Sequence, residues 1–174
     1  MFNKLFPKSL KLKLLLNTYL PFLGAGIQIS HVSKDFLEID VKMPLNKRNK
    51  NYVGTHFGGS LYAMTDPFLM LMLLENLGKN YIIWDKAAHI DFIAPGKGTV
   101  FAQFRLTPKQ IEQVKRAAES GKAVCPEYTV EVLGEDGNVV AKVIKTLYVK
   151  KKQWAWLIHQ NGQAFDNCSL FIDN

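Results

Sequence analysis

The chain has 174 residues, of which 48% are hydrophobic and 21% are charged, and its formal net charge is +7. This length and composition fit one globular domain with a full core and exclude a disordered or fibrous chain. The positive charge favours an anionic partner, for which a phosphate-bearing molecule, nucleic acid and a membrane surface all qualify. Only two cysteines are present, Cys125 and Cys168, which argues against a disulfide scaffold and for a reducing, cytoplasmic environment.

The first 22 residues predict a helix rather than a targeting signal. Leucines recur with helical spacing between residues 10 and 20, and Asn17 and Pro21 interrupt the apolar run that a signal peptide requires. We therefore expect residues 1–22 to form an amphipathic helix that packs on the domain. No run reaches the roughly 18 apolar residues of a membrane span, so membrane contact is not expected.

Residues 23–150 predict an α+β domain. Alternating apolar and polar residues indicate strands, and turns rich in glycine and proline separate them. The expected strands cover residues 27–32, 36–41, 81–94, 99–106, 128–133 and 139–149, and a surface helix covers residues 108–121. Residues 151–174 show no clear periodicity and are expected to form an extension.

Residues 60–77 form a nearly uniform apolar segment, with Asp66 and Glu75 as its only charged residues. A helix of this composition is buried on every side. One antiparallel sheet of about six strands, wrapped around this one long central helix, accounts best for the element order; this is the hotdog arrangement. The open edges of such a sheet predict pairing between copies, either as a homodimer or as a dimer of dimers.

A glycine motif at residues 51–59 directly precedes the central helix. Its paired glycines, Gly58 and Gly59, can present free backbone N–H groups to an anion or to a polarised carbonyl. Asp66 is a costly residue to bury, and it could serve as a general base or nucleophile. A donor and a base are the minimum for hydrolysing an ester or thioester.

The same residues resemble the hotdog-fold thioesterases of the phenylacetyl-CoA thioesterase type. Those proteins carry Asn-x-x-Gly-x-x-His-Gly-Gly and then an aspartate seven residues after the last glycine. Asn51, Gly54, Gly58 and Gly59 match the motif, and Asp66 stands at the aspartate position. Residues 54–62, 66–67 and 84–88 are still more similar to the hotdog relatives called domain of unknown function 4442. The resemblance covers roughly residues 20–150.

The resemblance implies an acyl-CoA or acyl-carrier thioester as substrate, with coenzyme A as part of that substrate, no separate cofactor and no metal. It implies an oxyanion site at the Gly59 amide and a catalytic carboxylate at Asp66, contributed by opposite subunits of a dimer. The motif histidine is replaced by Phe57, and His56 stands one position earlier. His56 could therefore assist as a donor or second base, or could simply pack.

The site residues also have structural interpretations. Asp66 could cap a second helical segment, because Pro67 is a favourable first helical residue and also predicts a kink within the central helix. The paired glycines could avoid a steric clash. Asn51 and Thr55 could bind the thioester or hold the loop through their side-chain hydrogen bonds.

Substrate binding could involve further residues around the motif. The basic residues Lys47, Arg48 and Lys50 suit the phosphates of coenzyme A. The complete set of substrate-binding candidates is Asn51, Gly54, Thr55, Phe57, Arg48 and Lys50.

Three polar residues of the strand over 81–94 have an alternating spacing. Asp85, His89 and Asp91 are expected to share one face of that strand. Such a face suits a metal site or, more simply, contact with solvent or with a second subunit.

Three other functions stay open. A catalytically inactive acyl-CoA or lipid-binding protein is favoured by Phe57 and Pro67. The loop His56-Phe57-x-Gly resembles that of hotdog 3-hydroxyacyl dehydratases, but the position of their helical glutamate is Met70 here. A membrane-surface protein that uses the basic N-terminal helix and the lysine cluster at residues 150–152 is the least favoured. No nucleic-acid-binding module is recognisable, and nucleic acid is not an expected partner.

Overall fold

The structure is a computed structural model that describes residues 6–152 and the backbone of residues 169–171. These described residues form five helices and seven strands. The helices are α1 (Lys8–Thr18), α2 (Leu20–Ala25), α3 (Gly58–Ala63), α4 (Phe68–Leu77) and α5 (Pro108–Ala118). The strands are β1 (Gln28–Val32), β2 (Glu38–Pro44), β3 (Tyr81–Phe92), β4 (Thr99–Arg105), β5 (Val124–Leu133), β6 (Val139–Lys151) and β7 (Ser169–Phe171).

Six strands form one antiparallel sheet in the order β1-β2-β4-β5-β6-β3. The predicted α+β class and antiparallel sheet are thereby confirmed, and the architecture is consistent with the hotdog fold. The seventh strand, β7, pairs in parallel with the first residues of β5. The division of the chain into residues 1–22, 23–150 and 151–174 stays a prediction, and most of the last segment lies outside the described residues.

The predicted central helix is two helices rather than one long helix. Helix α3 ends at Ala63 and α4 begins at Phe68, and residues 64–67 between them are not helical. Pro67 explains the break, because proline has no N–H to donate and its ring clashes with the preceding turn. The expected kink beside Asp66 is therefore a complete interruption, and Asp66 lies within it.

The core lies between the helices and the sheet. Phe68, Met72 and Leu73 of α4 are fully buried, and the Phe68 ring centroid is 4.8 Å from that of Phe104 in β4. The strands contribute alternate residues to this core, as a sheet with one covered face requires. This packing fixes the positions of α4 and of the break that precedes it.

The two edge strands of the sheet, β1 and β3, differ in whether another part of the chain covers their outer backbone groups. At the β1 end, the Asn17 side chain of α1 donates to the Ile29 carbonyl at 3.0 Å and accepts from the Ile29 N–H at 2.9 Å. These bonds occupy groups that another strand would otherwise use. At the other end, β3 pairs only with β6 among the described residues. The strand Tyr81–Phe92 therefore presents the open edge of the sheet.

The bonding of one cysteine differs from our expectation. Cys125, at the start of β5, is fully buried and disulfide-bonded. The low cysteine content, from which we expected a reducing environment, did not predict this bond.

Candidate active site

The loop before α3 is organised by Asn51. Its side-chain amide donates to the Thr55 hydroxyl at 2.9 Å and to the His56 carbonyl at 3.2 Å. Its side-chain oxygen accepts from the N–H groups of Val53 and Thr55. All four bonds stay within the loop, and the left-handed φ of +88° at Gly54 is one that glycine adopts readily. Asn51, Gly54 and Thr55 therefore shape the loop, as the structural interpretation predicted for Asn51 and Thr55.

His56 is buried and ties this loop to the turn after β3. Its backbone N–H donates to the Gly96 carbonyl at 3.0 Å, and its Nε2 lies 3.0 Å from the Gly98 carbonyl. Because a carbonyl can only accept, Nε2 carries the ring proton. Burial lowers the pKa of His56, and the bond to Gly98 only partly offsets this effect. The ring is therefore neutral, and its only proton is already engaged.

A cleft of about 650 Å³ lies between the motif loop and residues 92–97. Asn51, Thr55, His56 and Gly58 line it from the loop side. Asp66 is not among its lining residues. The glycine-motif residues therefore line the cleft together, but the Asp66 carboxylate does not lie in it.

The paired glycines begin helix α3. Neither the Gly58 nor the Gly59 N–H donates to an acceptor within the described part of the chain. A Cβ at Gly58 would lie 2.9 Å from the Phe92 ring, and one at Gly59 would collide with the Phe57 ring. These positions therefore require glycine for space, as the structural interpretation predicted, and both N–H groups are open. A role for these groups at an oxyanion stays a prediction.

Asp66 belongs to a cluster of three charged residues. Lys145 of β6 donates from Nζ to Asp66 Oδ1 at 2.7 Å, and the same Nζ lies 3.0 Å from Asp85 Oδ1 of β3. The Lys145 side chain is only 1% exposed, whereas that of Asp66 is 42% exposed and that of Asp85 is 19% exposed. The Tyr62 ring of α3 lies 5.2 Å from the ammonium. One buried cation therefore holds two carboxylates, and Asp66 is the more exposed of the two.

The electrostatics of the cluster favour a charged lysine. Burial alone would lower the pKa of Lys145, but its contacts with Asp66 and Asp85 outweigh burial and raise it. Burial, together with the nearby Asp66 carboxylate, raises the pKa of Asp85, and the contact with Lys145 only partly offsets this rise. Asp85 Oδ1 is within ion-pair distance of the ammonium but accepts no well-aligned hydrogen bond among the described residues. The Lys145 ammonium therefore interacts more directly with Asp66 than with Asp85.

Asp66 does not cap a helix. The residue before the first turn of α4 is Pro67, and no side chain caps that end. The capping interpretation of Asp66 was therefore wrong, because the carboxylate turns away from α4 toward Lys145.

The expectation that Asp85, His89 and Asp91 share a face was also wrong. A β-bulge between Asp85 and Ala87 changes the alternation of β3. Asp85 consequently points toward Lys145, whereas His89 and Asp91 are exposed and pair with each other at 3.0 Å. Among the described residues, no cluster of three or more histidine, cysteine or acidic side chains could hold a metal ion.

Two further substrate candidates lie beside the motif. Arg48 donates from Nη1 to the Leu23 carbonyl of α2 at 3.1 Å, and Lys50 is exposed. Neither side chain lines the cleft. Phe57 is 58% exposed and packs against Gly59. Contact of these three residues with a substrate stays a prediction.

Lys145 is the site residue that sequence reasoning missed. A signal for it exists in β6, where the inward positions 141, 143, 147 and 149 are apolar and position 145 is lysine. A lysine at an inward strand position is rarely buried without a carboxylate partner.

Known structures share this architecture. A protein of unknown function from Pseudomonas aeruginosa, described as a probable thioesterase, is 19% identical, with a TM-score of 0.70 over 84% of this chain and 99% of that one. A thioesterase from Haemophilus influenzae is 18% identical, with a TM-score of 0.60 over 82% of this chain and 90% of that one. Likeness at such identity shows the fold alone. No curated protein matches the sequence.

The chain thus shares its hotdog-like fold with proteins of which several are described as thioesterases. The chain belongs to the family described as Domain of unknown function (DUF4442), whose model matches residues 8–149. The resemblance seen in the glycine motif is confirmed by this match.

Replacing Lys145 tests the cluster. Lys145→Met should lower the free energy of unfolding by about 2–3 kcal/mol at neutral pH, because it leaves two carboxylates together without a cation. A carboxyl whose folded pKa is raised stabilises the protein at low pH and loses that contribution as pH rises. Relative to wild type, the variant should therefore regain stability in urea unfolding as the pH is lowered from neutral into the acidic range. Lys142→Met, at an exposed position of the same strand, is the control; equal losses in the two variants would contradict the cluster.

Proposed function

We propose that the protein hydrolyses an acyl thioester of the acyl-CoA type, with Asp66 as the general base or nucleophile. The observation that carries the proposal is the contrast within the charged cluster: Lys145 is 1% exposed, yet the Asp66 side chain that it holds is 42% exposed. An oriented carboxylate that remains open to solvent suits the activation of water or direct attack.

The chemistry requires little beyond these groups. In the general-base route, Asp66 takes a proton from water while the water oxygen bonds to the acyl carbon. Collapse of the tetrahedral intermediate breaks the C–S bond, and the thiol leaves with that proton. In the nucleophilic route, an Asp66 oxygen bonds to the acyl carbon, the C–S bond breaks and the thiolate leaves. Water then hydrolyses the mixed anhydride, which releases the carboxylic acid, regenerates the Asp66 carboxylate and supplies the proton that the thiolate takes up. In both routes Lys145 keeps the carboxylate in position.

The oxyanion donors are proposed to be the N–H groups of Gly58 and Gly59. Both donors have no acceptor in the described residues, as an oxyanion site requires. Because the cleft beside Gly58 is not lined by Asp66, we infer that a partner subunit supplies the second half of each site.

A homodimer would form through the open edge of β3. Strand Tyr81–Phe92 has unpaired backbone groups on one side, and Ile82, Trp84 and Phe92 are exposed along it. Pairing of this edge with a second copy would extend the sheet and cover these side chains. A dimer of dimers would need a second contact surface.

A catalytically inactive acyl-CoA-binding protein is the second candidate, and one observation favours it. The Phe57 ring packs against Gly59, one of the two proposed donors. The ring stands where the motif of the phenylacetyl-CoA thioesterase type has histidine. Affinity for acyl-CoA without turnover would identify this function.

Turnover should depend on Asp66. In assays of free-thiol release from short, long and aryl acyl-CoAs, Asp66→Asn should lower kcat by about 10²–10⁴-fold, because the base or nucleophile is lost. Asp136→Asn, in the β5–β6 turn, is the matched control and should behave as wild type. Wild-type turnover that survives Asp66→Asn would contradict the assignment; absence of wild-type turnover with retained affinity would select the binding protein.

The oxyanion site can be tested at Gly59. Gly59→Pro removes the N–H at a position where no helical bond is lost, and kcat should fall by about 10²–10³-fold. Gly59→Ala adds a similar Cβ but keeps the donor, so it controls for steric effects. An equal fall in both variants would indicate packing rather than catalysis.

Subunit mixing then tests the shared site. Co-expressed Asp66→Asn and Gly59→Pro subunits should form heterodimers with one intact and one doubly defective site, and so recover about half of wild-type turnover. A heterodimer as inactive as its parents would place both groups in one subunit.

A further inference from the structure

The two N-terminal helices carry a concentration of exposed apolar side chains. Seven of the fifteen exposed large hydrophobic residues among the described residues lie between residues 6 and 23. The most exposed are Leu15 at 65% and Leu20 at 78%. The others are Phe6, Leu10, Leu14, Tyr19 and Leu23. A surface helix that only packs on its own domain usually has polar residues on its outer side.

The opposite side of α1 is the one that docks on the sheet. Leu16 is buried, Asn17 bonds to Ile29, and Lys13 donates from Nζ to the Ser30 carbonyl at 2.6 Å. Leu14 and Leu15 are 54% and 65% exposed, so they lie outside this docked side. In α2, Phe22 is likewise buried while its neighbours are exposed.

The chain segment that forms these helices is basic. The first 34 residues contain five lysines and no acidic residue. Lys8 at the start of α1 forms an ion pair with Glu75 of α4. At the other end, the bond from Arg48 to the Leu23 carbonyl fixes a guanidinium beside an exposed leucine. Apolar side chains flanked by cations are typical of helices that lie in the headgroup region of a bilayer.

We propose that the exposed apolar face of α1 and α2 docks on the surface of an anionic phospholipid bilayer. The positive charge favours this occupant over a second copy of the same face, which would bring like charges together. No helix in the described part of the chain is long and apolar enough to cross a bilayer. The proposed contact differs from our expectation from the sequence, which was that the protein does not contact a membrane. The inference is independent of the proposed hydrolysis.

Vesicle flotation of the full chain tests the proposal. Wild type should float with vesicles of phosphatidylcholine and phosphatidylglycerol, less with phosphatidylcholine alone, and less at high salt because screening weakens attraction to the anionic lipid. The double variant Leu15→Gln/Leu20→Gln should bind about tenfold or more weakly, since two apolar side chains no longer enter the interface. Phe101→Gln, at an exposed position of β4, is the control and should bind as wild type does.

Three results would overturn the proposal. Wild type would fail to float with the anionic vesicles, or the double variant would float as well as wild type. Alternatively, light scattering would show that the double variant changes the oligomeric state instead, so that the face is an interface between copies. Circular dichroism of the double variant should match wild type, because both leucines are exposed, and its thiol release from soluble acyl-CoA should be unchanged.

Discussion

The buried ammonium of Lys145 is the constraint on which the arrangement of this site depends. A charge at 1% exposure is costly unless carboxylates surround it, and here two do so from different elements. Asp85 reaches it from β3 and Asp66 from the break between α3 and α4. The cluster thus connects two neighbouring strands to the helical layer and orients a carboxylate that solvent can reach.

The break between α3 and α4 leaves the Asp66 carboxylate accessible to solvent while Lys145 holds it. If the helix were continuous, residue 66 would be part of a segment that is apolar on nearly every side. Pro67 interrupts the helix, and Asp66 turns toward Lys145 while keeping 42% of its side chain exposed. The same helical layer carries the open N–H groups of Gly58 and Gly59 one short helix earlier. A carboxylate and two donors are therefore fixed on one scaffold.

Sequence reasoning succeeded where a feature is local and periodic. Period-two alternation predicted the six main strands, and Pro67 predicted the kink beside Asp66. It failed at Asp85 because a single bulge, which composition does not mark, changes the face of every later residue in β3. Lys145 was missed because its partners lie 60 and 79 residues away in sequence. The exposed leucines of α1 and α2 were counted as docking residues because spacing alone does not tell which side a sheet will cover.

The most direct test of this account is whether Lys145 and Asp66 act as one catalytic unit. The measurement is kcat for thiol release by Lys145→Met, Asp66→Asn and the double variant, each confirmed as folded. If Lys145 acts through Asp66, the double variant should be no slower than Asp66→Asn alone, since residues that act as a unit are not additive. Losses that add in the double variant, or full activity in Lys145→Met, would contradict the account.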